Sequence, residues 1–148
     1  MLRLATFIAL LFIASGAAAA DVRVENAWAR SPAPGQKTAS AYVDLTSASD
    51  AVLRSVASPL AGRVELHAMT LDGGIMRMRS IARIDLPAGK TVKFEPGGLH
   101  LMLFDLKQPL KPGDKLPLVL TIQGPASSAT TLKVEAEVRA AAAGAHVH

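Results

Sequence analysis

The sequence contains no cysteine. Without thiols the chain cannot form disulfides, so an exported domain of this sequence would have to be held together by packing and strand pairing alone. The absence also excludes two functions. Blue-copper electron transfer requires a cysteine thiolate ligand, and thiol–disulfide exchange requires two thiols.

Aromatic side chains are also scarce, at 4% of the residues. After the first twenty residues they occur singly and far apart, as Trp28, Tyr42, Phe94 and Phe104. The formal net charge of +4 is a mild excess, and the basic residues are scattered along the chain. Because there is neither a basic cluster nor a row of stacking rings, nucleic-acid binding is not expected.

Long apolar runs are limited to one, residues 4–14, which follows Arg3 and leads into small residues that end before Asp21. This order is typical of a secretory signal peptide. The run is shorter than the roughly 20 apolar residues that span a bilayer. We therefore expect a cleaved signal peptide over residues 1–20, a periplasmic location, and no membrane span after cleavage.

The residues that follow predict one all-β domain. Residues 21–139 are enough for one domain and too few for two. Apolar side chains alternate with polar ones or form short runs, and Gly, Pro, Asp or Ser interrupt them about every ten residues, which is typical of a sandwich or barrel. We expect about eight or nine strands, at or within residues 22–30, 39–45, 51–57, 64–69, 75–81, 91–94, 99–106, 116–122 and 132–138. Residues 140–148 are rich in Ala and Gly and predict a flexible tail.

A predicted hairpin in the middle of the chain places several sulfur and imidazole groups on one face. Alternation puts His67 and Met69 on the face opposite Val64, Leu66 and Ala68. A turn at residues 72–73 would oppose His67 to Met78, whereas a turn at residues 73–74 would oppose Met69 to Met78. Both registers leave all the donors of the hairpin on one face.

The methionines and histidines are concentrated in one span. Every methionine after the first residue lies between positions 69 and 102, together with His67 and His100. Four of these side chains have the spacing His67, ten residues, Met78, twenty-one residues, His100, one residue, Met102. Thioether is a soft neutral donor and imidazole a borderline one, so a mixed site selects Cu(I) over Mg, Ca or Mn. Zinc is disfavoured because methionine is not among its usual ligands.

This spacing resembles the ligand pattern of the periplasmic copper chaperone PCu(A)C family. Further matches are Ala27-Trp28-Ala29-Arg30, Ala41-Tyr42, Val64-Glu65-Leu66-His67, Asp72 to Arg79, Pro96 to Met102, Pro109 and Gly113-Asp114. Phe104 departs from the pattern, since many relatives carry another methionine there. The resemblance implies a cupredoxin-like Greek-key barrel or sandwich that binds Cu(I) through His67, Met78, His100 and Met102. It also implies copper delivery in cytochrome c oxidase assembly, with Sco-type proteins or the CuA subunit as partners.

Other donors have two interpretations each. Met69 and Met76 are either auxiliary copper ligands during exchange or a sulfur-lined apolar rim. His146 and His148 form a His-x-His pair that is either an inert terminus or an auxiliary site for Cu(II), which imidazole suits.

Three other functions compete with a carrier, which we expect to be a monomer without enzymatic activity. An enzyme lacks support, because no His-Glu-x-x-His motif occurs and the acidic residues show no pairing for acid/base chemistry. A copper-sequestering resistance protein would use the same site without delivery. A structural β-domain would carry its methionines incidentally, and a metal-binding assay would identify it.

Overall fold

The computed structural model describes residues 21–141. The predicted signal peptide and the tail histidines lie outside this range. Within it the chain forms ten strands: β1 Val22–Arg30, β2 Ala39–Ser47, β3 Ala51–Ala57, β4 Ala61–Asp72, β5 Ile75–Ile81, β6 Ile84–Leu86, β7 Thr91–Lys93, β8 His100–Leu106, β9 Lys115–Gln123 and β10 Ala129–Arg139. The helical structure in this range is one 3₁₀ turn, Pro125–Ser127.

The prediction of an all-β fold is therefore confirmed. Eight strands have seven or more residues, and the two three-residue strands, β6 and β7, bring the total to ten. The described part of the chain contains no helix long and apolar enough to cross a membrane.

The strands form one sheet with the order β5-β4-β8-β2-β1-β10-β9-β3-β6, and β7 pairs with the end of β2. Neighbours are antiparallel except for β1 and β10, the first and last strands, which run parallel. The path has two free ends, β5 and β6, so the sheet is open. It folds over on itself around a single cluster of buried residues to which both halves contribute.

The core follows from the alternation of the sequence. In β9 the apolar residues at positions 116, 118, 120 and 122 are buried, and the residues between them are only partly covered. In β8 Leu101 and Leu103 are completely buried, and in β4 Leu66 points the same way. Side chains next to these in sequence must point to the opposite face of the sheet.

A bulge in β1 precedes the residues through which this strand pairs with both β2 and β10. Asn26 has a φ of 51°, and the register with β2 shifts between Glu25 and Trp28. The Asn26 amide donates a 2.9 Å hydrogen bond to the Asp44 carboxylate, which holds the irregular backbone in place. After the bulge, Trp28 pairs with Tyr42 on one side and with Glu137 of β10 on the other.

The turn between β4 and β5 settles the register that the sequence left open. Met69 is paired with Met78 and Asp72 with Ile75, so the two loop residues are Gly73 and Gly74. Their φ values are 57° and 81°. Two-residue hairpin loops of type I′ require positive φ at both central positions, and glycine adopts it without steric cost. A turn at residues 72–73 would have placed Asp72 in one of these positions.

Candidate metal centre

Three adjacent strands, β5, β4 and β8, carry the donors on the face opposite the leucine core. We call this surface the His/Met face, and it comprises Glu65, His67, Met69, Met76, Met78, Ser80, His100, Met102 and Phe104. Its side chains form rows across the strands. His67 is opposite His100 and Ser80, Met69 is opposite Met78, and Glu65 is opposite Met102.

The two histidines at the centre of the face are buried. The exposed fraction is 8% for His67 and 5% for His100. Their ring centroids are 5.4 Å apart, and the ring planes are inclined by 62°. Imidazole nitrogen binds a first-row metal ion at about 2.0–2.1 Å, which places two rings bound to one ion roughly 5–6 Å apart between centroids. The separation of the ring centroids is therefore compatible with two imidazoles bound to one ion.

Hydrogen bonds fix which nitrogen of each ring keeps its lone pair. His100 Nδ1 is 3.1 Å from the carbonyl oxygen of Gly98, and since that oxygen can only accept, Nδ1 carries the proton. His67 Nε2 is 2.8 Å from a carboxylate oxygen of Glu65 and donates to it. The remaining nitrogens, His67 Nδ1 and His100 Nε2, are buried and have no hydrogen-bond partner among the described residues.

Buried polar atoms without partners are rare in native proteins because each costs free energy. Metal-binding histidines, in contrast, commonly donate the proton of one nitrogen to a carboxylate or carbonyl and present the other nitrogen to the ion. His67 and His100 both have this arrangement. His67 Nδ1 and His100 Nε2 are therefore the two ring atoms that could hold a metal ion here.

Glu65 is a hydrogen-bond partner of His67 to which the sequence analysis assigned no role. Besides His67, it accepts a 2.9 Å hydrogen bond from Arg63 Nε. The hydrogen bonds from His67 and Arg63 hold the pKa of Glu65 below its ordinary value of 4.5. The Arg63 guanidinium also lies 4.2 Å from the centroid of the Phe104 ring, which packs beside His67. A signal was present in the alternation Arg63-x-Glu65-x-His67, which puts all three on one face.

Met102 lies next to the histidine pair and is partly buried. Its sulfur accepts a 3.6 Å hydrogen bond from the hydroxyl group of Ser40 on β2. It stands two residues from His100 on the same side of β8, so its thioether is on the His/Met face. The structure thus brings together His67, His100 and Met102.

The hairpin methionines extend the face outward. Met69 is partly buried, whereas Met78 and Met76 are 51% and 52% exposed. Met78 is in the row next to the histidines, and Met76 is in the following row, opposite Leu71. On the reverse face Asp72 lies within 3.7 Å of both Arg77 and Arg79, so these charges are directed away from the methionines.

Within residues 21–141, no three His, Asp or Glu side chains form a group that could hold a metal ion. The donors beside the two imidazoles are thioethers, which suit soft cations. The predicted auxiliary donors His146 and His148 lie outside the described range.

The sequence matches a family model described as "Putative lipoprotein LpqE-like" over residues 22–138. A related protein is "Putative lipoprotein Lxx21020" of Leifsonia xyli subsp. xyli, which is 30% identical over 121 residues. The match covers 81% of this chain and 73% of that protein.

Solved structures with the same fold include PCuAC domains. The apo PCuAC domain from PmoF1 has a TM-score of 0.66 and 24% identity, over 81% of this chain and 94% of that domain. CuI-DR1885 from Deinococcus radiodurans has a TM-score of 0.61 and 31% identity, over 77% and 75%. Apo-DR1885 is 29% identical, with a TM-score of 0.61, over 97% of both chains.

Proposed function

Because this chain belongs to the LpqE-like family and has the fold of a PCuAC domain, we propose that it is an exported carrier of cuprous ion. One observation carries the proposal. Two buried imidazole nitrogens, His67 Nδ1 and His100 Nε2, lack hydrogen-bond partners among the described residues and belong to rings 5.4 Å apart beside thioether groups.

The choice of metal is supported by ligand chemistry and by a relative. Imidazole and thioether together favour Cu(I) among the biological cations. CuI-DR1885 has the same fold as this chain and is 31% identical to it in sequence, and its solution structure is of the copper(I) form. The lipoprotein names of the relative and of the family support export of this chain. Export is also the expected fate of a chain with a signal peptide.

We assign His67, His100 and Met102 as ligands, together with Met78 from the hairpin. All four donors are neutral when they bind, so the ion keeps its single positive charge, and the Glu65 carboxylate lies one hydrogen bond away to offset it. Thioether needs no deprotonation and cannot form a disulfide, which suits a carrier in an oxidising compartment. Acid weakens binding, because protons compete for the two imidazole lone pairs.

The role we assign is delivery without a catalytic step. Ligands are exchanged one at a time with an acceptor that approaches the exposed hairpin, where Leu71, Met76 and Met78 are accessible. The acceptors we propose are Sco-type proteins or the CuA subunit of cytochrome c oxidase, met by a monomeric carrier in the periplasm. Sequestration is the competing role, and it would need no such access.

Copper binding is tested by titrating the protein, kept reduced and anaerobic, against a chromophoric Cu(I) chelator. We expect one ion per chain and a mixed nitrogen and sulfur shell in X-ray absorption. His67→Ala and His100→Ala should each lower the affinity more than about 100-fold, since loss of even a hydrogen-bond partner of a ligand typically costs 10- to 100-fold. Ser80→Ala is the matched control, because Ser80 lies directly opposite His67, and it should leave the Cu(I) affinity unchanged.

A sulfur-only shell, or full affinity in both histidine variants, would refute the site. Delivery is tested separately by mixing the loaded protein with an apo CuA domain and following the appearance of the metal in the acceptor. Retention of the copper by a protein that binds it normally would favour sequestration.

A further inference from the structure

The register of the sheet places two methionines, Met69 and Met78, opposite each other in the row next to the histidine pair. The row formed by His67 and His100 is flanked on one side by Met102 and on the other by Met69 and Met78. Met102 lies two residues from His100 along β8, and Met69 lies two residues from His67 along β4. The two partly buried methionines are therefore on opposite sides of the pair, each about 6.6 Å along its own strand.

Met78 occupies the same side as Met69, one strand farther out. The two residues are directly opposed, which brings their Cβ atoms to about 5 Å from each other. A methionine side chain has three rotatable bonds and readily repositions its sulfur. Both thioethers can therefore approach each other in the row next to the histidine pair, Met69 from a partly buried position and Met78 from the exposed edge of the sheet.

We propose that Met69 and Met78 are two alternative ligands for a single coordination position of the cuprous ion, and that exchange between them begins the release of the cargo. The inference rests on the proposed function. In the exchange, the bond from copper to one thioether forms as the bond to the other breaks. Copper remains Cu(I), the coordination number is conserved, and no proton or electron is transferred.

The surroundings of Met69 and Met78 give the exchange between them a direction. Met69 belongs to β4, which has a strand on each side, whereas Met78 belongs to β5 at the free end of the sheet. Asp72 holds Arg77 and Arg79 on the reverse face, so no charged side chain of β5 lies on the His/Met face. Passage from Met69 to Met78 thus moves the ion from the interior of the sheet toward its accessible edge.

The test compares Met69→Leu, Met78→Leu and the double variant in the full chain. Leucine conserves volume, so folding should be retained, which thermal unfolding verifies. We expect each single variant to keep the same sulfur count in X-ray absorption and to lose less than about tenfold in Cu(I) affinity. The double variant should lose one sulfur neighbour and more than about 100-fold in affinity, the non-additive pattern of two groups that act at one position. Leu71→Ala controls for loss of apolar surface on the hairpin.

Loss of a sulfur neighbour in Met78→Leu alone, with affinity as low as in the double variant, would overturn the inference and leave the carrier proposal intact. Unchanged affinity in the double variant would overturn it as well. Failure of the unaltered chain to bind copper would instead remove the proposed function, and this inference with it.

Discussion

At the scale of single residues, the site depends on hydrogen bonds that orient the two imidazoles. Glu65 and the Gly98 carbonyl each accept a proton from one ring, which leaves the other nitrogen of the ring unprotonated. The sequence pattern could single out His67 and His100 as candidate donors, because their type and spacing are visible in it. It could not identify the hydrogen bond from His67 to Glu65, because a glutamate in an alternating strand pattern is most simply interpreted as a solvated charge.

Glu65 also provides a pH-dependent contribution to stability. Its pKa is lower in the folded protein than the ordinary value of 4.5, because His67 and Arg63 donate hydrogen bonds to it. A carboxyl group of this kind stabilises the fold fully above its unfolded pKa, and the stabilisation is lost as pH falls from there through the folded pKa. We expect the free energy of unfolding of the metal-free protein to fall less steeply below about pH 5 in Glu65→Gln than in the unaltered chain.

Denaturant unfolding at a series of acid pH values measures this difference. Asp50→Asn, which changes a carboxylate outside the His/Met face, serves as a comparison for removing one charge. Parallel curves for Glu65→Gln and the unaltered chain would contradict the assigned hydrogen bonds.

At the scale of elements, the β4–β5 hairpin decides which donors are neighbours. Alternation in the sequence correctly predicts that His67, Met69 and Met78 share a face. The register could not be deduced, because Asp72 and two glycines permit two turns that differ by one position. The structure selects the turn with glycine at both positive-φ positions. The bulge at Asn26 and the short strand β6 were also beyond prediction, because both depend on pairing with distant strands.

The turn geometry makes a prediction about Gly73. With a φ of 57°, this position should accept Asn, which is favoured in type I′ loops, and should reject Val. We expect Gly73→Asn to keep the unfolding free energy of the unaltered chain or to raise it slightly. Gly73→Val should lower it by about 1–2 kcal/mol, the cost of left-handed backbone for an ordinary L-residue. Chemical denaturation measures both, and equal stability of the two variants would contradict the assigned turn.

At the scale of the whole molecule, the donors come from strands that are distant in sequence but adjacent in the sheet. His67 belongs to β4 and His100 to β8, and the chain visits three other strands between them. The core that supports them is continuous across both halves of the sheet. Composition and alternation predicted the all-β class, whereas the order of the strands in the sheet required the structure.

Cuprous ion should therefore stabilise the folded domain. Any ligand that binds only the folded state raises its stability, by about 4 kcal/mol when its free concentration is about 1,000-fold above its dissociation constant. We expect Cu(I) to raise the melting temperature and to slow amide exchange most in β4 and β8. His100→Ala, which weakens binding, should show much smaller effects at the same free Cu(I) concentration. Equal protection of β9 and β10, which lie away from the site, would indicate that the ion acts elsewhere.

The parallel pairing of β1 with β10 also bears on how the sheet is assembled during folding. Without the last strand, the sheet would separate into two groups of hydrogen-bonded strands, β5-β4-β8-β2-β1 with β7, and β9-β3-β6. The two groups can be joined into one sheet only through β10, Ala129–Arg139, which pairs with both β1 and β9. The domain is thus complete only when the first and last strands have met, and a pairing of such long sequence separation is intrinsically slow to form.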